Sequence, residues 1–332
     1  MPKPKIVITD GHPLNPNDLN WDAFKKIGHT TIYEHTPPDQ LIARAQDADI
    51  LIVNKTVVNA ETIAALPTLK YIGVTATGYN IVDTEAAKAK GIIVSNAVGY
   101  SSASVAQHTF ALILELTNRV GAHSESVHQG AWGKQPQFCY TLSTITELSG
   151  KTLGLYGYGG IAKEIAKIAK AFGMKIIVNR KNMPSLMSPK QGNTEGPPPK
   201  GVRYVSLINL FKESDILSLN APLTVENKGL INKENLALMK PTALLINTAR
   251  GGLVIENDLK EALEKGIIAG AGLDVLQTEP PTEGSVLLGV KNCIITPHIA
   301  WASYESRQRL LNITLQNVKA FLKGTPQNVV NK

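Results

Sequence analysis

Residues 151–181 read KTLGLYGYGGIAKEIAKIAKAFGMKIIVNRK, and within them Gly157, Gly159 and Ala162 make a G-x-G-x-x-A spacing. The chemistry open to such a spacing is phosphate binding by backbone. Gly157 allows a sharp turn, Gly159 has no Cβ to keep an anion off the chain, and Ala162 lets a helix pack closely. Gly160 and Ile161 then open a helix whose first N–H groups have no internal partner and face such an anion. Alone, a glycine-rich turn is weak evidence. Here it follows the short apolar run Leu153–Tyr156, precedes a helical pattern and leads to a second apolar run, Met174–Val178. That strand–turn–helix–strand context points to a dinucleotide site. The helix is expected to bury the stripe Ile161, Ile165, Ile168 and Phe172, and to leave Lys163, Glu164, Lys167 and Lys170 on its other faces.

The end of the second run selects the dinucleotide. A carboxylate there holds the ribose hydroxyls of NAD, but this chain has Asn179, followed by Arg180 and Lys181. Without the carboxylate nothing repels a 2′-phosphate. Arg180 can grip that phosphate with a planar fork, and Lys181 adds a second charge. The expectation is NADP(H) in preference to NAD(H). The alternative is two solvated loop cations beside a neutral Asn that accepts NAD(H).

The whole chain of 332 residues is long enough for two domains. Its net charge of +7 is spread without a basic run interleaved with aromatics, which argues against nucleic acid and for a mild attraction of small anions. The two cysteines, Cys139 and Cys293, have neither metal nor redox spacing, so no metal site is expected and the compartment reads as reducing and cytoplasmic. The N-terminus runs straight into a strand pattern, so no signal peptide is expected. No apolar run is long enough for a membrane span.

Strand and helix patterns alternate along the chain. Apolar runs at 5–9, 30–33, 50–53, 71–74 and 92–95 alternate with helical stretches, and the alternation restarts at Leu153. This predicts two doubly wound α/β domains with parallel sheets: a Rossmann nucleotide-binding domain over 101–300, and a discontinuous flavodoxin-like domain made of 1–100 and 301–332. The helical stretch Ser101–Arg119, nearly apolar over Phe110–Leu116, reads as a bridge between them. The last helix, Glu305–Leu322, is expected to return to the first domain, with the site assembled at the domain junction. Residues 184–200, rich in Pro and Gly, read as an exposed insertion, with a cofactor lid as the alternative.

Four segments have a shared likeness. GYGGIA, LINTARGGLVIENDLKEAL (Leu245–Leu263), AGLDVLQTEPP (Ala271–Pro281) and ITPHIAWAS (Ile295–Ser303) together resemble the D-2-hydroxyacid dehydrogenase family over nearly the whole chain. VTATGYNIVD, GYSSASVAQHTFAL and PQFCY are most similar to its glycerate dehydrogenase, or hydroxypyruvate reductase, branch. The resemblance implies that Arg250 clamps the substrate carboxylate, that His298 is the acid/base and that Glu279 is its partner. It also implies substrate contacts from Lys55, Thr77 and Gly78, cofactor contacts from Pro222, Thr248, Ala249 and Asp274, and a homodimer with the bridging helix and the segment through Trp132 at its interface. The chain departs from the family pattern at Asn179, at Ala162, at Gln107 (a frequent Glu) and at Asn220 (a frequent His).

These residue types suit reduction of a 2-oxoacid. Imidazole shuttles a proton near neutrality, a carboxylate beside it favours the imidazolium, and guanidinium matches a carboxylate bidentately. Taken singly, Arg250 would read as a surface cation, Glu279 as a loop carboxylate and His298 as a packed core histidine. Their occurrence together with the nucleotide turn favours an oxidoreductase on hydroxypyruvate or glyoxylate. Two alternatives stand: an NAD-linked dehydrogenase of another 2-hydroxyacid, and a dinucleotide-sensing, corepressor-like binding protein.

Overall fold

The computed structural model describes residues 3–180 and 198–332. The chain divides into two compact units, one made of residues 1–101 and 301–332, the other of 102–300.

In the first unit five strands, β1 (Lys5–Ile8), β2 (His29–Ile32), β3 (Ile50–Val53), β4 (Tyr71–Val74) and β5 (Ile93–Ser95), form a wholly parallel sheet in the order β2-β1-β3-β4-β5. Strand β3 is apolar at every position because helices cover both faces of the sheet. Period-2 alternation divides it between two cores. Leu51 and Val53 pack with Leu41, Ile63 and Ala87. Ile50 and Ile52 pack with Tyr71 and with Leu311, Leu315 and Val318 of the last helix, Tyr304–Leu322. That helix is also tied to the N-terminal segment by Arg307, 6% exposed, which donates to both carboxylate oxygens of Asp18.

The second unit holds seven parallel strands: β6 (Thr152–Tyr156), β7 (Lys175–Asn179), β8 (Val202–Tyr204), β9 (Ile216–Leu219), β10 (Leu244–Asn247), β11 (Gly270–Leu273) and β12 (Cys293–Ile295). Their order is β12-β11-β10-β9-β6-β7-β8, the doubly wound Rossmann arrangement. Both sheets reverse their winding direction once, between β1 and β3 in the first and between β6 and β9 in the second. Ligands bind such sheets at the carboxyl ends of the strands flanking the reversal.

Three sequence expectations change. The helix after the glycine turn, Gly160–Ala171, buries Ala162, Ile165, Ala166 and Ala169. Ile161 and Ile168 are half-buried and Phe172 is 39% exposed. Small alanines face the sheet because they let the helix approach it, and the larger apolar side chains spread sideways, with Phe172 stacked on Phe110 at 5.3 Å. The bridging helix is Ser102–Asn118. Arg119 adopts a left-handed φ of 49° and starts a second helix, Val120–His128, that the apolar pattern does not announce. Finally, the apolar middle of the bridging helix is explained within its own unit, since Phe110, Leu112 and Ile113 are buried against Leu153, Ile165 and Ile246. Alternation also does not reveal β8, which is three residues long at a sheet edge, or the helix Glu256–Glu264, which buries only Leu259 and Ala262.

Candidate active site

The nucleotide turn is built at the reversal point of the second sheet. Gly157 follows β6 with φ 89°, and a Cβ there would sit 3.0 Å from the backbone of Asn220 and Ala221 at the end of β9. Only glycine satisfies both the conformation and the approach. A Cβ on Gly159 would meet no protein atom within 4 Å, so the chain leaves open space there. Gly159 is the N-cap of the helix Gly160–Ala171 and caps it with no side-chain bond, which leaves the first N–H groups available to an anion. Ala162 is fully buried beside Leu153 and Leu155. The residues present therefore fit a dinucleotide.

Asn179 is the last residue of β7, and its amide donates to the Val205 carbonyl at 3.0 Å. The Arg180 guanidinium lies over the Tyr204 ring, 4.7 Å from its centroid. Lys181 and residues 184–197 of the Pro/Gly-rich stretch lie outside the described residues. Pro222 follows β9 with its carbonyl accepting from Asn227, and Thr248 Oγ1 is 3.1 Å from Thr109 Oγ1.

Arg250 stands on the turn after β10. Asn247, fully buried, braces that turn at both ends: its carbonyl accepts from Ala249 N at 3.0 Å and its amide donates to Arg250 O at 2.9 Å. Gly251 backs so closely onto Leu276 that a Cβ would collide with the Leu276 carbonyl. Leu276 in turn donates its N–H to Glu279 Oε1 at 2.9 Å, while Glu279 Oε2 lies 2.6 Å from His298 Nδ1. One chain of contacts thus joins Arg250, Glu279 and His298. A carboxylate only accepts, so His298 Nδ1 carries the hydrogen and Nε2 is the nitrogen left for chemistry.

His298 has a left-handed φ of 54°, a conformation uncommon for a residue that carries a Cβ. Asp274, 1% exposed, holds it there. The His298 N–H donates to Asp274 O. The carboxylate accepts from Ile299 N (2.9 Å), Ala300 N (2.9 Å) and Thr296 Oγ1 (2.6 Å). His108 Nε2 reaches the same cluster, 2.9 Å from Thr296 Oγ1 and 3.4 Å from Asp274 Oδ1. Burial pushes the Asp274 carboxyl up, but the hydrogen bonds from His108, Thr296, Ala300 and Ile299 outweigh it and hold the group below the ordinary aspartate value. Neither the bracing by Asn247 nor this inward use of Asp274 is readable from motif spacing. The only signal is an Asn or Asp in the residues that close each strand.

In the first unit, Lys55 is exposed just after β3, and Thr77 and Gly78 form the turn after β4. Thr77 Oγ1 donates to Ala97 O at 3.1 Å, and Asn96 Nδ2 donates to Thr77 O at 2.7 Å. No group of three or more metal-ligating side chains occurs among the described residues, and no helix there is long and apolar enough to cross a membrane.

Residues 110–300 match the model of the D-isomer specific 2-hydroxyacid dehydrogenase NAD-binding domain. The chain belongs to the D-2-hydroxyacid dehydrogenase family. It is 44% identical over 331 residues to a hydroxypyruvate reductase of Blautia hydrogenotrophica, covering 99% of this chain and all of that protein. It is 42% identical to a glycerate dehydrogenase of Methylorubrum extorquens over 98% of each. Among solved structures it resembles an NADPH-dependent glyoxylate/hydroxypyruvate reductase of Sinorhizobium meliloti in complex with NADP and malonate (28% identity, TM-score 0.80, 99% of this chain and 97% of the other). As a D-2-hydroxyacid dehydrogenase, the chain is an enzyme with a nicotinamide dinucleotide as its cofactor.

Because the native Asp274 carboxyl sits below the unfolded value of 3.8, its stabilisation is complete above that pH and is lost as pH falls through the native value. In urea unfolding, wild type should exceed Asp274→Asn above about pH 4, and the margin should shrink below it. A margin that does not change with acid would contradict the assignment.

Proposed function

We propose that the enzyme reduces hydroxypyruvate or glyoxylate to the D-hydroxyacid with NADPH. The observation that carries this reading is the 2.6 Å His298–Glu279 pair, linked through Leu276 to the Arg250 turn in a unit with the Rossmann strand order. The names of the two relatives, a hydroxypyruvate reductase and a glycerate dehydrogenase, support the substrate class.

The nicotinamide, when bound, supplies the hydride. The cofactor is assigned to Gly157, Gly159, Gly160, Ile161, Pro222, Thr248 and Ala249, and its phosphate end to Asn179, Arg180 and Lys181. Arg250 binds the oxoacid carboxylate, and Lys55, Thr77 and Gly78 are assigned to the substrate as well. His298 Nε2 gives a proton to the carbonyl oxygen in reduction and takes it back in oxidation. Glu279 stabilises the imidazolium and orients the ring. Asp274 keeps the turn beneath it in place.

Preference for NADP(H) is supported by the absence of a carboxylate at the end of β7 and by Arg180, which Tyr204 holds beside that end. A homodimer is supported by the stretch after the bridging helix. None of residues 120–147 is buried, yet it carries Phe138 at 91% exposure, Val120 at 64% and Trp132 at 49%. The two cysteines, both free, suit a reducing, cytoplasmic setting.

The reading is tested by oxidation of NADPH and NADH over a panel of 2-oxoacids. Hydroxypyruvate and glyoxylate should lead, and Arg180→Ala should raise the NADPH KM about tenfold, the loss of one charge-assisted bond, while barely changing that for NADH. Tight dinucleotide binding without turnover on any oxoacid would favour a sensor instead. His298→Ala should lower kcat by roughly 10²–10⁴. Glu279→Gln keeps the shape but removes the charge that accepts from His298 Nδ1, so kcat should fall in both directions while dinucleotide binding is kept. An unchanged kcat would separate Glu279 from His298. Light scattering should report a dimer that Phe138→Glu converts to monomer.

A further inference from the structure

Asp10 has no part in the assigned site, yet it occupies the reversal point of the first sheet. It follows β1, which ends at Ile8, and is 5% exposed. One carboxylate oxygen, Oδ2, accepts from three successive backbone N–H groups: Asn54 at 2.9 Å, Lys55 at 3.0 Å and Thr56 at 2.9 Å. Thr9 Oγ1 donates to the same oxygen at 3.1 Å, and Thr56 Oγ1 donates to Oδ1 at 2.6 Å. Three adjacent N–H groups converging on one point make a concave anion site of the kind that loops offer to phosphates. Here the chain fills it with its own carboxylate. Burial raises the Asp10 carboxyl, but the bonds from Thr56, Asn54 and Lys55 outweigh it and leave the group ionised.

The consequence falls on Lys55. Asn54 and Thr56, on either side of it, are buried at 5% and 8% exposure, and both are bound to Asp10 through their N–H groups. Asn54 is further anchored to the next turn, its amide donating to Thr75 O at 2.8 Å and Thr75 Oγ1 at 3.0 Å. Between Asn54 and Thr56, Lys55 is exposed. A lysine on a free loop samples many positions, whereas one whose own N–H and both neighbours are pinned starts from one Cα position.

We propose that Asp10 is a positioning residue of the oxoacid site: it holds the turn 54–56 so that Lys55 meets the anionic substrate from a fixed backbone. The proposal rests on the assignment of Lys55 to the substrate. The geometry makes the effect local, because the bonds of Asp10 to Thr9, Asn54, Lys55 and Thr56 all lie within its own unit, and the nucleotide turn belongs to the other.

The test is steady-state kinetics with hydroxypyruvate and NADPH for Asp10→Ala, Asp10→Asn, Lys55→Ala and the double variant. Asp10→Ala should raise the oxoacid KM roughly tenfold or more, the scale of a lost positioning contact, and leave the NADPH KM within about twofold. Asp10→Asn should rescue most of this, since its carbonyl can still accept the three N–H bonds and its amide can donate to Thr56. In the Lys55→Ala background, Asp10→Ala should add less than about twofold, because the two act through one side chain. Thr56→Val, which removes only the 2.6 Å bond, should raise the oxoacid KM alone, and it decides the matter if Asp10→Ala does not fold. An unchanged oxoacid KM in Lys55→Ala would overturn the substrate assignment. A raised KM in Lys55→Ala with an unchanged one in folded Asp10→Ala, or with equal rises for both substrates, would overturn the positioning role alone.

Discussion

An ionised aspartate with 1% of its surface exposed is tolerable only when its oxygens are hydrogen-bonded, and Asp274 meets that requirement by folding the chain around itself. The backbone from Thr296 to Ala300 curls over its carboxylate, and the curl is possible only if one residue turns left-handed. That residue is His298. The cost of the conformation is offset by charge-assisted bonds that fail together if the carboxylate is lost. Glu279 and Arg250 inherit their placement from the same framework, the first through its bond to the ring, the second through Gly251 resting on Leu276.

The two sheets answer the same physical problem in the same way. Where a parallel strand ends, the following turn has backbone N–H groups without ladder partners, and a buried acidic or amide side chain supplies the acceptor. Asp10 does so after β3, Asn247 after β10 and Asp274 after β12. The turns so braced are those that present Lys55, Arg250 and His298. Rigid polar bracing beneath an exposed side chain is what preorganisation requires, since a loop ordered only on binding would spend affinity on its own ordering.

The nucleotide turn follows the opposite logic. Its N–H groups are left uncapped by any side chain, Gly159 projects into open space, and the helix Gly160–Ala171 has no acidic residue in its first turn. An anion from outside completes it. Filled at β3 and open at β6, the two reversal points differ in what they offer an anion.

Much of this could be read from residue order. Apolar runs of four or five β-branched and leucine residues alternating with helical stretches are sufficient for two doubly wound parallel sheets, because only strands covered on both faces are apolar at every position. G-x-G-x-x-A in its strand–helix setting points to a dinucleotide turn, since a φ of 89° at Gly157 is a conformation that a residue without a Cβ adopts locally. Packing was not local. Which stripe of the Gly160–Ala171 helix is buried depended on how closely the sheet and the bridging helix approach it, so alanines displaced the larger residues. The break at Arg119 and the three-residue edge strand β8 left no apolar period to detect, and the helix Glu256–Glu264 carries only the short stripe Leu259, Ala262 and Leu263. The support beneath the candidate site was equally hidden. Asp10 lies 44 to 46 residues from the turn it holds, and Asp274 reaches forward 22 to 26 residues. A carboxylate's partners across such distances are chosen by strand order, and strand order exists only once the sheet has formed.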